Sequence, residues 1–207
     1  MNAIILAAGE GKRLKPLTNE KPKGLVELFG QSILERQIEI FMNAGITDIS
    51  IVTGFNANMI KFPRINYFHN PNFKTTNMIE TLFSAEGKLN ESTIISYGDI
   101  IFDKMILEKL IRSEYEISVV VDLAWKEYWE VRFENPLEDA ESLLLHDGYI
   151  TNIGQKPKNF EQIQGQYIGL MKFQNNGIIH LKEFYKHAKK IAEIGSNPLN
   201  SKIPFKQ

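Results

Sequence analysis

The chain has 207 residues, enough for one domain with a sizeable core. Its 24 Lys and Arg against 25 Asp and Glu leave a net charge of -1, which argues against broad attraction to nucleic acid or an anionic membrane. The absence of cysteine excludes disulfides, thiolate metal sites and cysteine nucleophiles, a composition that suits a reducing cytoplasm. No apolar run is long enough for a membrane span, and Met1-Asn2 offers no basic region for a signal peptide.

The first predicted element is a buried strand over the apolar run Ala3-Ile4-Ile5-Leu6. It leads into Ala7-Ala8-Gly9-Glu10-Gly11-Lys12-Arg13-Leu14, then Pro16-Leu17-Thr18 and Lys21-Pro22-Lys23. Small residues and two glycines let backbone N–H groups approach phosphates, and Lys12, Arg13 and Lys23 supply neutralising charge. A glycine pair alone would be equally at home in a tight turn. The dinucleotide-binding fingerprint does not fit, because its third glycine would fall on Leu14 and because Pro16 and Pro22 break a helix starting there.

Ser32-Ile33-Leu34-Glu35 is a capping box, followed by Ile33, Leu34, Gln37, Ile38, Phe41 and Met42 at helical spacing until Gly45. Strands are expected over 49–53 and 65–68. Thr76 or Asn77 can cap a helix carrying Met78, Ile79, Leu82 and Phe83. A strand over 93–96, a helix from near Asp103 and a strand over 118–121 complete an alternation typical of an α/β, Rossmann-like fold. The expected sheet is mixed but mostly parallel and flanked by helices. After residue 122 the pattern changes. A hairpin around Asp147-Gly148, a strand over 167–171 and a helix over 177–192 read as a β-rich insertion covering the open edge of the first half.

In such sheets ligands sit at the carboxyl ends of strands, where the glycine loop and Asp99 fall. Asp99, in Ser96-Tyr97-Gly98-Asp99-Ile100, is the best candidate carboxylate for magnesium, which takes one or two carboxylates plus substrate phosphates. Gly98 would let metal and phosphate come near the backbone. The loops after the second and third strands, holding Thr53, Gly54 and residues 70–77 with Thr76 and Asn77, lie at the correct end to contact a base. They are also ordinary turn and cap residues.

The run L-A-A-G-x-G-x-R-L-x-P-L-T with a following K-P-K resembles the signature of nucleotidyltransferases that join a nucleoside triphosphate to a phosphorylated small molecule. The resemblance implies that the loop of Leu6, Ala7, Ala8, Gly9 and Gly11 wraps the triphosphate. Lys12 and Arg13 then hold the departing pyrophosphate, Lys23 sits on the acceptor phosphate and the transferred group, and Asp99 holds Mg2+. The succession Asp122, Trp125, Trp129, Arg132, Asp139-Ala140-Glu141 and Gly165-Gln166-Tyr167 resembles the phosphocholine cytidylyltransferase branch, including relatives that activate phosphoglutamine.

On that resemblance the chain is a single nucleotidyltransferase domain over 1–207, with a nucleotide-binding half over 1–122 and an acceptor-binding half over 123–207. The implied partners are CTP and a small phosphorylated acceptor, without nucleic acid or membrane, in a cytoplasmic monomer or homodimer. Trp125 and Trp129 could face a cationic head group, with Asp139 and Glu141 pairing an ammonium and Tyr167 beside them, although tryptophans at this spacing also serve as core.

The sequence departs from the family in two places. A late acidic segment bearing a second magnesium ligand is missing, so either the chain is shortened at its C-terminal end or Asp122, Asp139 or Glu141 takes that role. Gly165-Gln166-Tyr167 also replaces a Gly-Glu-aromatic pattern. A sugar 1-phosphate nucleotidyltransferase and a nucleotide-binding domain with impaired catalysis are the alternatives. The four histidines lack zinc-site spacing, and neither a G-x-S-x-G elbow nor a Walker lysine is present.

Overall fold

The structure, a computed structural model, describes residues 1–193. The expectation of a shortened C-terminal end falls on 194–207, outside the described residues. The chain divides into two units, one formed by Met1–Ser118 with the chain from Met171 onward, the other by Val119–Leu170. The second unit is therefore an insertion between two parts of the first. The sequence expectation assigned everything after 122 to the second half, whereas the chain rejoins the first unit at Met171.

The strands are β1 (Asn2–Ala7), β2 (Glu27–Leu28), β3 (Gln31–Ser32), β4 (Ile49–Thr53), β5 (Asn66–His69), β6 (Ser92–Tyr97), β7 (Ile117–Asp122), β8 (Leu143–His146), β9 (Tyr149–Ile153) and β10 (Gln166–Gln174). The helices are α1 (Ile33–Asn43), α2 (Met78–Phe83), α3 (Lys104–Arg112), α4 (Trp125–Arg132) and α5 (Asn176–Glu193). The central sheet runs β5-β4-β1-β6-β10-β7 and is mixed, mostly parallel and flanked by helices.

All six residues of β1 are buried, as expected for a central strand covered on both faces. It pairs in parallel with β4 and β6, placing Ala7 beside Thr53 and Leu6 beside Tyr97. The carboxyl ends of these strands thus coincide, and the loops leaving them share one rim of the sheet. Beneath that rim Ile4, Leu6, Val52, Leu82, Phe83, Ile95 and Ile178 form one apolar cluster. Phe83 of α2 stacks on Tyr185 of α5, with ring centroids 3.6 Å apart.

Helix α1 starts where the capping box predicts. Ser32 Oγ accepts from the Glu35 N–H at 3.2 Å, and the Ser32 N–H donates to Glu35 Oε2 at 2.8 Å. Gly45, at φ +84, follows its end in the left-handed conformation that favours glycine. Two elements have no clear signal in the sequence. The β2–β3 hairpin is only two residues per strand, too short for alternation to register, and turns at Phe29 and Gly30 with positive φ. Helix α4 leaves Tyr128 and Val131 exposed, so its apolar residues do not mark one face.

In the second unit, β8 and β9 pair antiparallel around Asp147-Gly148, both at positive φ, as the D-G signal predicts. Trp125, Ala140 and Ile163 form that unit's buried cluster.

Candidate active site

A cavity of about 340 Å³ opens at the carboxyl ends of β1 and β6. Its lining comes from the glycine loop (6–14), Lys23, Gly24, Phe73, Lys74, Thr76, Asn77, Met78, Thr81 and the turn 97–99. Every one of these residues belongs to the first unit. The loop predicted to wrap a triphosphate, the predicted catalytic cations and the predicted metal carboxylate therefore meet in one place.

The loop's shape follows from its sequence. Gly11 has φ +65, and a Cβ there would lie 3.0 Å from Lys23 Cβ and 3.1 Å from Thr18 Cγ2. Only glycine gives this turn and this closeness to Lys23 without strain. The buried Thr18 donates from Oγ1 to the Gly11 carbonyl at 2.7 Å. This bond gives the threonine of the P-L-T motif a physical task, pinning the loop that it follows. The Leu14 N–H closes the next turn on the same carbonyl at 2.9 Å.

Opposite the loop, Lys23 Nζ donates to Asp99 Oδ2. The side chains are 29% and 34% exposed, so both remain reachable from the cavity. Gly98 makes the approach possible: its N–H donates to the Leu6 carbonyl at 2.8 Å, and a Cβ on it would lie 2.9 Å from Ala7 Cβ.

The cavity wall carries Lys12, Arg13, Lys23 and Lys74 against Glu10 and Asp99, an excess of cations suited to a polyanion. Lys12 lies 3.0 Å from Glu10 and Lys74 lies 4.0 Å from it. The hydrogen bond from Lys12, with the nearby charges of Lys12, Lys74 and Lys15, holds the Glu10 carboxyl below its ordinary range.

The sequence did not single out Phe73, Lys74, Met78 and Thr81 for the site: Phe73 and Lys74 fall in the 70–77 segment, and Met78 and Thr81 on α2 just after it. The buried Asn70 organises that segment, donating from Nδ2 to Thr76 Oγ1 at 2.9 Å and Thr81 Oγ1 at 3.0 Å, and accepting from the Asn72 N–H at 2.9 Å. Thr76 and Asn77 do line the cavity, and Asn77 also caps α2 by accepting from the N–H groups of Ile79 and Glu80.

Thr53 and Gly54 are placed differently from the expectation. Thr53 is buried and donates to the Phe68 carbonyl at 3.0 Å within the sheet. Gly54 sits behind the wall, where a Cβ would lie 2.6 Å from the Ala8 carbonyl oxygen and 2.8 Å from Phe73 Cβ. These two residues hold the wall together and do not line the cavity.

The predicted acceptor residues lie in the second unit. Trp125 is 4% exposed and packs with Ala140 and Ile163, with Trp129 at 6.0 Å and Phe160 at 6.4 Å between ring centroids. The fold thus uses Trp125 as core, because an indole among apolar neighbours gains more from packing than from solvent. Trp129 packs partly buried beside it. Asp122 accepts from the Ala124 N–H at 2.9 Å, a local turn.

Gln166 is buried and bonded both ways to Glu141, donating to its carbonyl at 2.6 Å and accepting from its N–H at 3.2 Å. A glutamate there would lack the donor, so the departure from Gly-Glu-aromatic is matched to its surroundings. Asp139, Glu141 and Tyr167 belong to the same unit.

Enzymes of the kind this site suggests generally use a divalent metal. Asp99 fits one: a hard oxygen donor, part-exposed at the cavity, beside cations that can hold phosphates. Among the described residues no three His, Asp or Glu side chains cluster as a protein-only metal cage. No helix among them is long and apolar enough to cross a membrane.

Comparison with known proteins places these features in a family. The CTP:phosphoglutamine cytidylyltransferase of Campylobacter jejuni is 39% identical over 197 residues, covering 90% of this chain and 78% of that protein. The choline-phosphate cytidylyltransferase of Streptococcus pneumoniae is 34% identical over 119 residues, 56% of this chain and 52% of that protein. A bifunctional sugar-1-phosphate nucleotidylyltransferase/acetyltransferase of Sulfurisphaera tokodaii matches at 27%, over 76% of this chain and 37% of its own length.

The solved structure of the Streptococcus pneumoniae CTP:phosphocholine cytidylyltransferase has the same fold, with a TM-score of 0.67 at 23% identity, covering 94% of this chain and 78% of that one. The model of the MobA-like NTP transferase domain matches residues 3–146, which carry both the glycine loop and Asp99. The chain belongs to this nucleotidyltransferase family of MobA-like NTP transferase domains.

Proposed function

We propose that the protein transfers CMP from CTP to a small phosphate monoester of the phosphoglutamine or phosphocholine kind, releasing pyrophosphate. The observation that carries this reading is the meeting of Lys23 and Asp99 beside the glycine loop, in a cavity with an excess of cations. The choice of CTP and of the acceptor class rests on the 39% identity to the phosphoglutamine enzyme.

Two polyanions must be brought together, so charge is the main obstacle to the reaction. The glycine loop's backbone N–H groups and Lys12, Arg13 and Lys74 would hold the triphosphate. The acceptor's phosphate oxygen attacks the α-phosphorus as an anion, forming one P–O bond as the bond to the β-phosphate oxygen breaks. No proton has to move, which agrees with a lining whose charged groups are Lys12, Arg13, Lys23 and Lys74 with Glu10 and Asp99. Lys23 would stabilise the charge on the transferred group, a role that preorganised cations serve well. Asp99 would hold Mg2+, which would supply positive charge to offset that of the phosphates.

Trp129, Asp139, Glu141 and Tyr167 are the proposed acceptor contacts, and Trp125 supports them by packing the same unit. An enzyme acting on a sugar 1-phosphate is the second reading, favoured by the Sulfurisphaera tokodaii relative.

The test is a matrix of CTP, UTP, GTP, ATP and dTTP against phosphoglutamine, phosphocholine and glucose 1-phosphate, with magnesium and pyrophosphate release as readout. The expected result is release with CTP and one of the first two acceptors. Release confined to UTP or dTTP with the sugar phosphate would transfer the assignment to the second reading.

A further inference from the structure

Gln37 is a polar residue on the buried face of α1, and it is only 1% exposed. All the hydrogen-bonding capacity of its amide nitrogen is directed at one turn: Nε2 donates to the Tyr97 carbonyl at 2.9 Å and to the Ile100 carbonyl at 2.7 Å. Its Oε1 accepts from Ser96 Oγ at 2.9 Å. The two carbonyls bracket Gly98-Asp99, so one side chain grips the backbone on both sides of the proposed metal carboxylate.

This grip completes a set of constraints. The Gly98 N–H is bound to β1 through the Leu6 carbonyl, and Gly24 presses against the Gly98 carbonyl, where a Cβ would lie at 2.8 Å. A leucine or methionine at 37 would satisfy the helix and the core equally well, and would take a donor from two part-buried carbonyls, leaving that of Tyr97 with the longer bond from Ser96 Oγ at 3.3 Å. The amide is therefore suited to the turn it holds. We propose that Gln37 is a positioning residue for Asp99, fixing where its carboxylate meets Lys23 and the metal.

The proposal rests on Asp99 as the metal-holding acid. The ligand probe is Mn2+ with CTP, followed by electron paramagnetic resonance, alongside the magnesium dependence of pyrophosphate release. Gln37→Met keeps the volume and removes all three bonds. Gln37→Glu keeps the shape and replaces the amide donor by a carboxyl group, and Ser96→Ala removes the hydroxyl that holds the amide at 2.9 Å and also donates to the Tyr97 carbonyl at 3.3 Å.

Outer partners of metal-holding groups typically change metal affinity or activity by about 10–100-fold, and both Gln37 variants are expected in that range. The concentration of magnesium for half-maximal activity should rise in parallel. Ser96→Ala should shift both quantities in the same direction, by less. Folded Gln37→Met with unchanged Mn2+ affinity and unchanged magnesium dependence would overturn the proposal.

If neither Gln37 variant folds, unchanged metal affinity in Ser96→Ala overturns it equally. Wild-type protein that binds Mn2+ with CTP yet releases no pyrophosphate would sink the transferase reading alone, because the metal readout still decides the role of Gln37. Wild-type protein that binds no Mn2+ with CTP sinks both.

Discussion

Gly24 and Gly98 touch so closely that a Cβ on Gly24 would lie 2.8 Å from the Gly98 carbonyl oxygen and 2.6 Å from Leu34 Cγ. Each glycine is followed or preceded by the residue that matters: Lys23 precedes Gly24, and Asp99 follows Gly98. The missing side chains let two turns stack, and the stacking brings the lysine to the carboxylate. Gly24→Ala should therefore affect more than stability. Overpacking of this kind costs about 1–3 kcal/mol, and at this chain length each kcal/mol lowers Tm by roughly 2–4 °C. Turnover should fall further than that loss explains, because Lys23 must move. Gly87 has open space around its Cβ position and an ordinary φ, so Gly87→Ala is the control and should change neither Tm nor turnover. Thermal melts and pyrophosphate release on the same preparations decide it.

Lys23→Ala separates the two uses of that lysine. Its ion pair with Asp99 is part-exposed on both sides, at 29% and 34%, and such pairs contribute about 0–1 kcal/mol. The melting temperature should hardly change. Losing a preorganised group that stabilises transition-state charge typically lowers turnover about 10²–10³-fold, while CTP affinity measured by calorimetry should change far less. Turnover near the wild-type level would remove Lys23 from the chemistry.

Asp99→Asn keeps the size of the side chain and removes its charge. Chelating the metal from wild-type protein should abolish pyrophosphate release, and added magnesium should restore it. In Asp99→Asn the same addition should restore little, with the magnesium needed for half-maximal activity raised severalfold. A variant with the wild-type magnesium curve would mean that another group holds the metal.

The parts of the site that were legible in the sequence are those where local chemistry and chain position coincide. The glycine loop follows a buried strand, Gly98-Asp99 follows another, and the parallel register of β1 with β6 then brings the two ends together. The capping box at Ser32 could be read because its partners lie three residues apart.

What stayed hidden depends on distant partners. Phe73, next to Lys74, packs where a side chain on Gly54 would lie, and the Ala8 carbonyl crowds the same position, an arrangement of distant residues that no local pattern encodes. Gln37 looked like one more member of an apolar helix face, since its partners lie about sixty positions away at residues 96–100. Lys172 was also unforeseen. It is fully buried on β10, donates to the carbonyls of Ile111 in the last turn of α3 and Ser113 just after it, and burial lowers its pKa. Trp125 carried two readings at the sequence level, and burial selected packing.

The capping box also predicts a pH dependence. Glu35 receives hydrogen bonds from the Ser32 hydroxyl and the Ser32 N–H, and these hold its carboxyl below the ordinary value of 4.5. A carboxyl with a folded pKa below its unfolded one binds fewer protons when folded, so its contribution is present above 4.5 and is lost as pH falls through the folded value. Glu35 is exposed, so that contribution is small next to the cap itself. Ser32→Ala should lower stability by about 0.5–2 kcal/mol at pH 7. Glu35→Gln should lose less at pH 7, and its difference from wild type in urea midpoint should shrink on acidification below 4.5. A difference that stayed constant through that range would mean that the charge of Glu35 adds nothing to the start of α1.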